Sequence, residues 1–449
     1  MSPEWVSIIA LVALFVVGTV LPINMGALAF VAAWLVGMYS LDLAEDEIIA
    51  GISGDLILTL VGVTYLFAIA KNNGTVDLIV RAAVRGVGGR IALIPWVMFA
   101  VTALLTAIGA ASPAACAIIG PIALGFAGRY RINPLLMGMF VVHGAQGGGF
   151  SPISIYGTIT NSVMADNDLP NGEITIFLVS LLVNVAIAVV LFFVLGGRQL
   201  MSRRLDADEL DQGQDGPSHP PREMAPATTV SGDAPASGPA PRTTTKAPAG
   251  ITTDQIVTLV AFLAVAVVAL VFDRNIGFTA ITAAVLLTAL YPKRQKGAVS
   301  QVAWATVLLV AGVSTYASIL ETAGTPEYVG DLAAGLGSAV LGALILCYVG
   351  GVVSAFASST ALLPIIIPIA IPLVAQGDIG AVGLIAALAV SSTIVDVSPF
   401  STNGALMLAN RPDTISEERF YRQILGYSAI VVAVGPLLVW AVIVVPGWL

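Results

Sequence analysis

The chain has 449 residues, of which 57% are hydrophobic and only 10% charged, with a net charge of -8. Soluble domains carry roughly 25% charged residues, so this composition excludes an ordinary soluble enzyme, and the negative balance argues against a nucleic-acid partner. The two cysteines, Cys116 and Cys347, lie in apolar runs and offer no disulfide framework.

Apolar stretches near the ~20 residues needed to cross a bilayer recur along both halves, a pattern that excludes short alternating transmembrane strands. The expected class is an all-α polytopic membrane protein. The first stretch, Val6 to Val20, has no basic residue before it and is followed by a second from Ala27 to Met38, so it reads as a span and not as a signal peptide. In chain order the predicted crossings of the first half are 5–21, 25–40, 55–71, 132–165 (broken) and 173–197, with a non-crossing hairpin at 91–128. Residues 205–250 contain eight prolines and almost no bulky apolar side chain, which predicts a disordered linker. His219 falls within it, at a spacing that matches no metal motif. The second half follows as 252–272, 276–292, 303–321, 379–409 (broken) and 424–446, its hairpin at 339–376. The chain thus divides into a first membrane repeat (1–200), a linker (201–250) and a second membrane repeat (251–449).

The halves align on each other. At an offset of 250, Gly62, Gly74 and Thr75 recur as Gly312, Gly324 and Thr325; at 247, "ASPAACAIIGPIA" from Ala111 lies on "SSTALLPIIIPIA" from Ser358. The same offset carries Ser151, Pro152, Ser154 and Gly157 of "GFSPISIYG" onto Ser398, Pro399, Ser401 and Gly404 of "DVSPFSTNG". This is the signature of an internal duplication. Five crossings per copy, an odd number, invert the second copy relative to the first. With both termini outside and the linker cytoplasmic, 18 of the 19 Lys and Arg residues fall inside and only Arg274 falls outside, as the positive-inside rule requires. After the third span of each copy, Asp77, Arg81 and Arg85 in one and Glu327 and Asp331 in the other predict a matching pair of helices lying in the interface.

The repeated prolines and glycines interrupt helices at membrane depth, where freed backbone groups are tolerated only against protein or a water-filled cavity. Two hairpin apices, Ala111 to Ala114 and Ser358 to Ala361, supply a second pair of interruptions. Four half-helix ends then meet near the midplane, and such a site suits an anion at helix N-termini and a cation among hydroxyls and carbonyls. The candidate anion-binding residues are Ser112, His143, Ser151, Ser154, Ser359, Thr360, Ser401, Thr402 and Asn403. The candidate Na⁺ ligands are Ser112, Gly148, Ser358, Asp396 and Ser398. Asp396 corresponds to Gly149 in the first copy, so it is an asymmetric addition, and an intramembrane carboxylate is a functional candidate as cation ligand or proton carrier. No Lys or Arg falls in the predicted core, so a dianion there needs dipoles, hydroxyls and cotransported cations to neutralise it.

The inverted hairpins and broken helices resemble the ion-transporter superfamily that includes the divalent anion/sodium symporters, and the N-terminal half resembles the MatC-type dicarboxylate (malonate) carriers. The resemblance covers both membrane halves and not the linker. In the symporters a Ser-Asn-Thr at each hairpin apex binds substrate carboxylates and helps form a sodium site. "SSTALLPI" keeps that pattern with Ser359 in place of Asn, whereas Ala111-Ser112-Pro113 of "ASPAACAI" lacks both the Asn and the Thr. The resemblance implies an elevator-type secondary transporter, not an enzyme, in the cell (inner) membrane. It would move a small dicarboxylate, malonate first, with Na⁺ or H⁺ as coupling ion and no cofactor, and a homodimer is the expected assembly. The alternative is a cation/proton antiporter or oxyanion exporter of the same superfamily. No P-loop is present for ATP-driven transport.

Overall fold

In a computed structural model, the described residues are 2–21, 23–86, 90–203, 251–272, 274–293, 295–334, 338–355, 359–377 and 379–447. Their regular elements are helices. In the first half these are α1 (Pro3–Val20), α2 (Met25–Ser40), α3 (Glu45–Ala50), α4 (Gly54–Asn72), α5 (Thr75–Arg85), α6 (Leu93–Ala107), α7 (Ser112–Arg129), α8 (Pro134–Gly148), α9 (Ile155–Asp166), α10 (Glu173–Val194) and α11 (Gly197–Met201). The second half contributes α12 (Thr253–Phe272), α13 (Ile276–Leu290), α14 (Trp304–Thr322), α15 (Thr325–Ala334), α16 (Ala339–Ser354), α17 (Ser359–Ala375), α18 (Ala381–Ile394), α19 (Thr402–Ala409) and α20 (Glu417–Val439). Among the described residues five helices are long and apolar enough to cross a membrane: α4, α7, α10, α14 and the stretch Glu417–Val444. The linker of the sequence reading lies outside the described residues from position 204 onward, as do the side chains of Arg85 and Asp331.

Helix starts fall where a short polar side chain can accept the free N–H groups of the first turn. Asn24 accepts from Gly26 and Ala27, Asn133 from Leu135, and Asn275 from Phe278. The last long helix begins at Glu417 and not at 424, about two turns earlier, with Glu417 and Glu418 favourably placed in its first turn.

Two helix crossings organise the outer part of the bundle: α2 packs on α14, and α4 on α13. Both rely on glycine. A Cβ on Gly312 would lie 2.0 Å from the Gly26 carbonyl oxygen, and one on Gly62 would lie 2.6 Å from the Gly277 oxygen. Gly62 and Gly312 are the duplicated pair of the sequence, and Gly26 and Gly277 are related by nearly the same offset, so each crossing joins a helix of one half to the counterpart position of the other. The turns into α5 and α15 repeat the same logic. Gly74 and Gly324 hold φ values of +77° and +70°, a conformation that side-chain-bearing residues avoid. Thr325, the first residue of α15, shares a 2.7 Å hydrogen bond with Ser7 of α1, while Asn73 donates over 2.7 Å to Thr258 of α12.

The hairpins α6–α7 and α16–α17 surround the two most buried helices, α8 and α18, which present apolar residues all round and lose nearly every side chain to the interior. The halves interleave here as well, with α7 packed on α19 and α17 packed on α9. The outermost helices keep Val16, Leu182, Leu263 and Leu438 exposed, an apolar girdle suited to lipid.

Candidate functional site

Both broken helices are interrupted in the same way. After α8 the chain turns through Gly149 to Ser154 and restarts as α9; after α18 it turns through Val395 to Ser401 and restarts as α19. Ser154 and Ser401 are N-caps of the restarting helices, accepting from Gly157 N–H at 3.3 Å and Gly404 N–H at 3.2 Å. Each hydroxyl also shares its hydrogen within the turn, Ser154 with the carbonyls of Gly149 and Ser151 (2.6 Å), Ser401 with those of Asp396 (3.0 Å) and Ser398 (2.7 Å). The third residue of each restarted helix must be glycine, because a Cβ on Gly157 or Gly404 would fall about 2 Å from the Ser151 or Ser398 carbonyl oxygen.

The interruptions converge on one cavity of about 490 Å³. Ala110 to Pro113 line it from the first hairpin, Tyr156 from the first break, Thr360 from the second hairpin, and Asp396, Ser401 and Thr402 from the second break. The remaining wall comes from the outer helices: Gly18, Asn24 and Met25 at the α1–α2 turn, and Ala305, Thr306 and Leu309 at the start of α14. Among the described residues that line it, Asp396 is the only charged one, and none is Lys or Arg. Asn403, fully buried behind this wall, donates through Nδ2 to Asp396 Oδ2 at 2.7 Å and to Ser112 Oγ at 2.8 Å, so it joins the second break to the first hairpin.

The sequence candidates therefore separate. Ser112, Thr360, Asp396, Ser401 and Thr402 line the cavity, with Asn403 directly behind them. Ser359 is directed into the protein, sharing a hydrogen bond of 2.7 Å with Ser354 and donating to the Ser392 carbonyl at 3.1 Å. Ser398 donates to the Ala355 carbonyl at 2.9 Å, tying the second break to the adjoining hairpin. Ser151 and Ser154 serve the first turn. Gly148 packs against α6, where a Cβ would meet the Ala103 oxygen at 1.9 Å, and its own carbonyl accepts from Ser151 N–H. Ser358 lies outside the described residues.

His143 does not line the cavity. Its Nδ1 lies 2.8 Å from Asn184 Oδ1 and its Nε2 lies 2.5 Å from the Tyr427 hydroxyl. Asn184 is itself oriented by donating Nδ2 to the Ser180 carbonyl, so a neutral imidazole donates at Nδ1 and accepts at Nε2. The ring ties α8 to α10 and α20.

Sequence reasoning passed over Tyr156, Asn24 and Thr306 as lining residues. Tyr156 stood within the repeated phrase, at the position whose counterpart is Asn403, so its asymmetry was a usable signal. Asn24 reads locally as a helix cap, which it is. Only the approach of α2 to α14, where Asn24 Nδ2 donates to the Ala305 carbonyl, brings it to the cavity.

Comparison with known proteins accords with this geometry. Residues 1–149 match the model of the dicarboxylate carrier protein MatC N-terminus, and residues 266–446 match that of the citrate transporter family. No curated protein matches the chain. Both matched families are carriers of carboxylates, one in each membrane half, and the chain is a multi-pass membrane protein related to the MatC-type dicarboxylate carriers of the ion-transporter superfamily.

Proposed function

We propose that the chain is a secondary active transporter that takes up a small dicarboxylate, malonate first, together with Na⁺ or H⁺. The observation that carries this reading is the cavity itself. Helix interruptions from both halves meet there, Ser112, Tyr156, Thr360 and Thr402 line it, and among its described lining residues the single charge is the negative one of Asp396. The start of α7 and the start of α19 each present a first helical turn whose N–H groups favour an anion. With no basic side chain among the described lining residues, a dianion beside Asp396 is bound only if cations enter with it. Coupling is thus an electrostatic requirement of the pocket.

The duplicated crossings and exchanged hairpins support two inverted repeats, 1–200 and 251–449, moving in the elevator manner. In that reading the hairpins and broken helices form the mobile body, and α1, α2, α4, α12, α13 and α14 form the frame. The cavity reaches the α1–α2 turn and the start of α14, the ends nearest the basic loop around Lys293 and Lys296, so the positive-inside rule assigns this conformation as inward-facing.

The citrate-transporter match over the second half supports a tricarboxylate as the second reading. Uptake of labelled malonate, succinate and citrate into proteoliposomes, under separately imposed Na⁺ and pH gradients, tests both. Concentrative malonate uptake driven by one of the two gradients is expected. Citrate uptake without malonate uptake would favour the tricarboxylate reading, and gradient-driven Na⁺/H⁺ exchange without any carboxylate would overturn both.

A further inference from the structure

Helix α7 has the cavity around Asp396 at its start and a second cavity, of about 650 Å³, at its other end. The α7–α8 turn, the segment after α10 and the start of α20 wall this second cavity. Arg131, Arg203 and Arg419 line it, one from each of those segments, and among the described lining residues none is acidic. The acids at the start of α20 are engaged elsewhere, Glu417 with Arg411 at 3.4 Å and Glu418 with Arg422 at 2.5 Å, so neither neutralises Arg419. Arg203 donates to the Tyr130 carbonyl at 2.8 Å and to the Arg131 carbonyl at 3.4 Å. That fixes its guanidinium and leaves further N–H groups of the five to be used. The turn it grips is strained, because Arg131 holds φ at +51°. The other described non-glycine residues with positive φ are Asp42 and Asp168, a type whose short polar side chain suits that conformation. An arginine has no such backbone advantage, and glycine would occupy the position without strain, so the strain points to a task for the side chain.

We propose that this basic cavity binds a phosphate group, supplied by the headgroup of an anionic phospholipid. Guanidinium forks from three segments match the several oxygens of a phosphate, which each fork can contact in bidentate fashion. The cavity lies where α10 ends: Phe193 and Val194 of its last turn are exposed apolar residues, and Leu195 and Leu200 continue into the cavity wall. An apolar strip running into a basic pocket at a helix end is what a phospholipid covers with its acyl chains and its headgroup together. A free phosphate offers the same oxygens without the chains, so the two sources share the arginines and differ in what the apolar strip contributes. The bound group would join the α7–α8 turn to the start of α20 and replace the mutual repulsion of the three guanidinium groups by attraction to a common anion. None of these residues lines the cavity around Asp396, so the site is additional to the proposed transport site and independent of the substrate assigned to it.

The test is thermal unfolding of the purified full chain in detergent at fixed ionic strength, titrated separately with dioleoyl-phosphatidylglycerol, dioleoyl-phosphatidylcholine and inorganic phosphate. A ligand that binds only the folded protein raises the midpoint by mass action. Phosphatidylglycerol should raise it saturably, and phosphatidylcholine, whose phosphate carries its own cation, should not. Arg131→Gly and Arg419→Gln should each raise the half-saturating lipid fraction by about tenfold, the loss that accompanies removal of one contact to a charge. Arg131→Gly also relieves the positive φ, so its midpoint without added lipid should equal or exceed the native one, which separates lost binding from lost folding. Arg131→Lys keeps the charge without the fork and should fall between Arg131→Gly and the native protein. Arg274→Gln, at an exposed arginine outside the cavity, should leave the titration unchanged. Inorganic phosphate as effective as the lipid, with the same dependence on Arg131 and Arg419, would sustain the phosphate site and assign it to a soluble ligand. A native protein indifferent to both phosphatidylglycerol and phosphate overturns the proposal, as do Arg131→Gly and Arg419→Gln variants that keep the native half-saturation.

Discussion

Gly312→Ala places a methyl group where α2 and α14 already touch. Its Cβ would lie 2.0 Å from the Gly26 carbonyl oxygen and 2.6 Å from the Gly26 carbonyl carbon, against 3.4 Å or more in ordinary contacts. The helices must therefore part by about 1 Å, a gap that forfeits a quarter to a half of the dispersion energy along the crossing. Overpacking of this kind costs about 1–3 kcal/mol, and the better helix propensity of Ala returns at most about 1 kcal/mol, so a net destabilisation of about 1–2 kcal/mol is expected. Gly426→Ala is the control, because nothing lies within 4 Å of its Cβ; it should be neutral or slightly stabilising. The partner change, Gly26→Ala, meets the Leu308 carbonyl oxygen at 2.1 Å in the same crossing. Once one methyl has separated the helices the second finds room, and the double variant should cost less than the sum of the singles. Gly26→Ala combined with Gly62→Ala, which lies in the other crossing, should be additive to within about 0.5 kcal/mol. Unfolding midpoints in detergent at one scan rate measure all of these. A Gly312→Ala protein as stable as Gly426→Ala, or strict additivity of the Gly26 and Gly312 changes, would refute the close-packed crossing.

Three further outcomes follow from the site. Thr360→Ala should weaken substrate binding several-fold, since it removes a cavity hydroxyl able to hydrogen-bond a carboxylate for ~1.5–3 kcal/mol; Ser359→Ala, whose hydroxyl points to Ser354 and Ser392, should instead lower the unfolding midpoint and leave the affinity of the folded protein near native. Ser154→Ala and Ser401→Ala should each cost about 0.5–2 kcal/mol through loss of an N-cap, and only the latter, at the cavity wall, should also slow uptake in proteoliposomes. His143→Ala should destabilise the protein by leaving Asn184 and Tyr427 without their partner while substrate affinity in the folded fraction stays within about twofold; a large and selective loss of affinity would return His143 to the binding site.

Most helix limits were legible because each crossing is an uninterrupted apolar run bounded by Gly, Pro, Asn or charge. The predicted spans 55–71 and 276–292 correspond to α4 (Gly54–Asn72) and α13 (Ile276–Leu290). The breaks were legible for the complementary reason, since Pro152 and Pro399 sit beside glycines within otherwise apolar segments. The direction of each side chain at a break was not legible. Ser154 and Thr402 are both polar residues of a break, yet one caps a helix and the other lines the cavity, a difference set by which face of the turn each occupies. The partners of His143, Asn184 and Tyr427, were not legible, because they lie on helices far along the chain. The wall made by Asn24 and Thr306 depends on the α2–α14 crossing, and sequence periodicity does not encode which helices approach.

Duplicated and divergent positions divide the physical tasks between them. The residues the two copies share, such as Ser154 and Ser401 or Gly157 and Gly404, satisfy freed backbone groups and allow the chain to turn closely; any binding chemistry placed on the breaks depends on them, which is why both copies retain the same types. The residues that differ, Asp396 for Gly149 and Asn403 for Tyr156, stand at or directly behind the cavity wall. A cavity built from two related halves but lined by a carboxylate from one and a phenol from the other is chemically asymmetric. The frame supplies the interruptions twice, and its divergence gives the cavity they share that asymmetry.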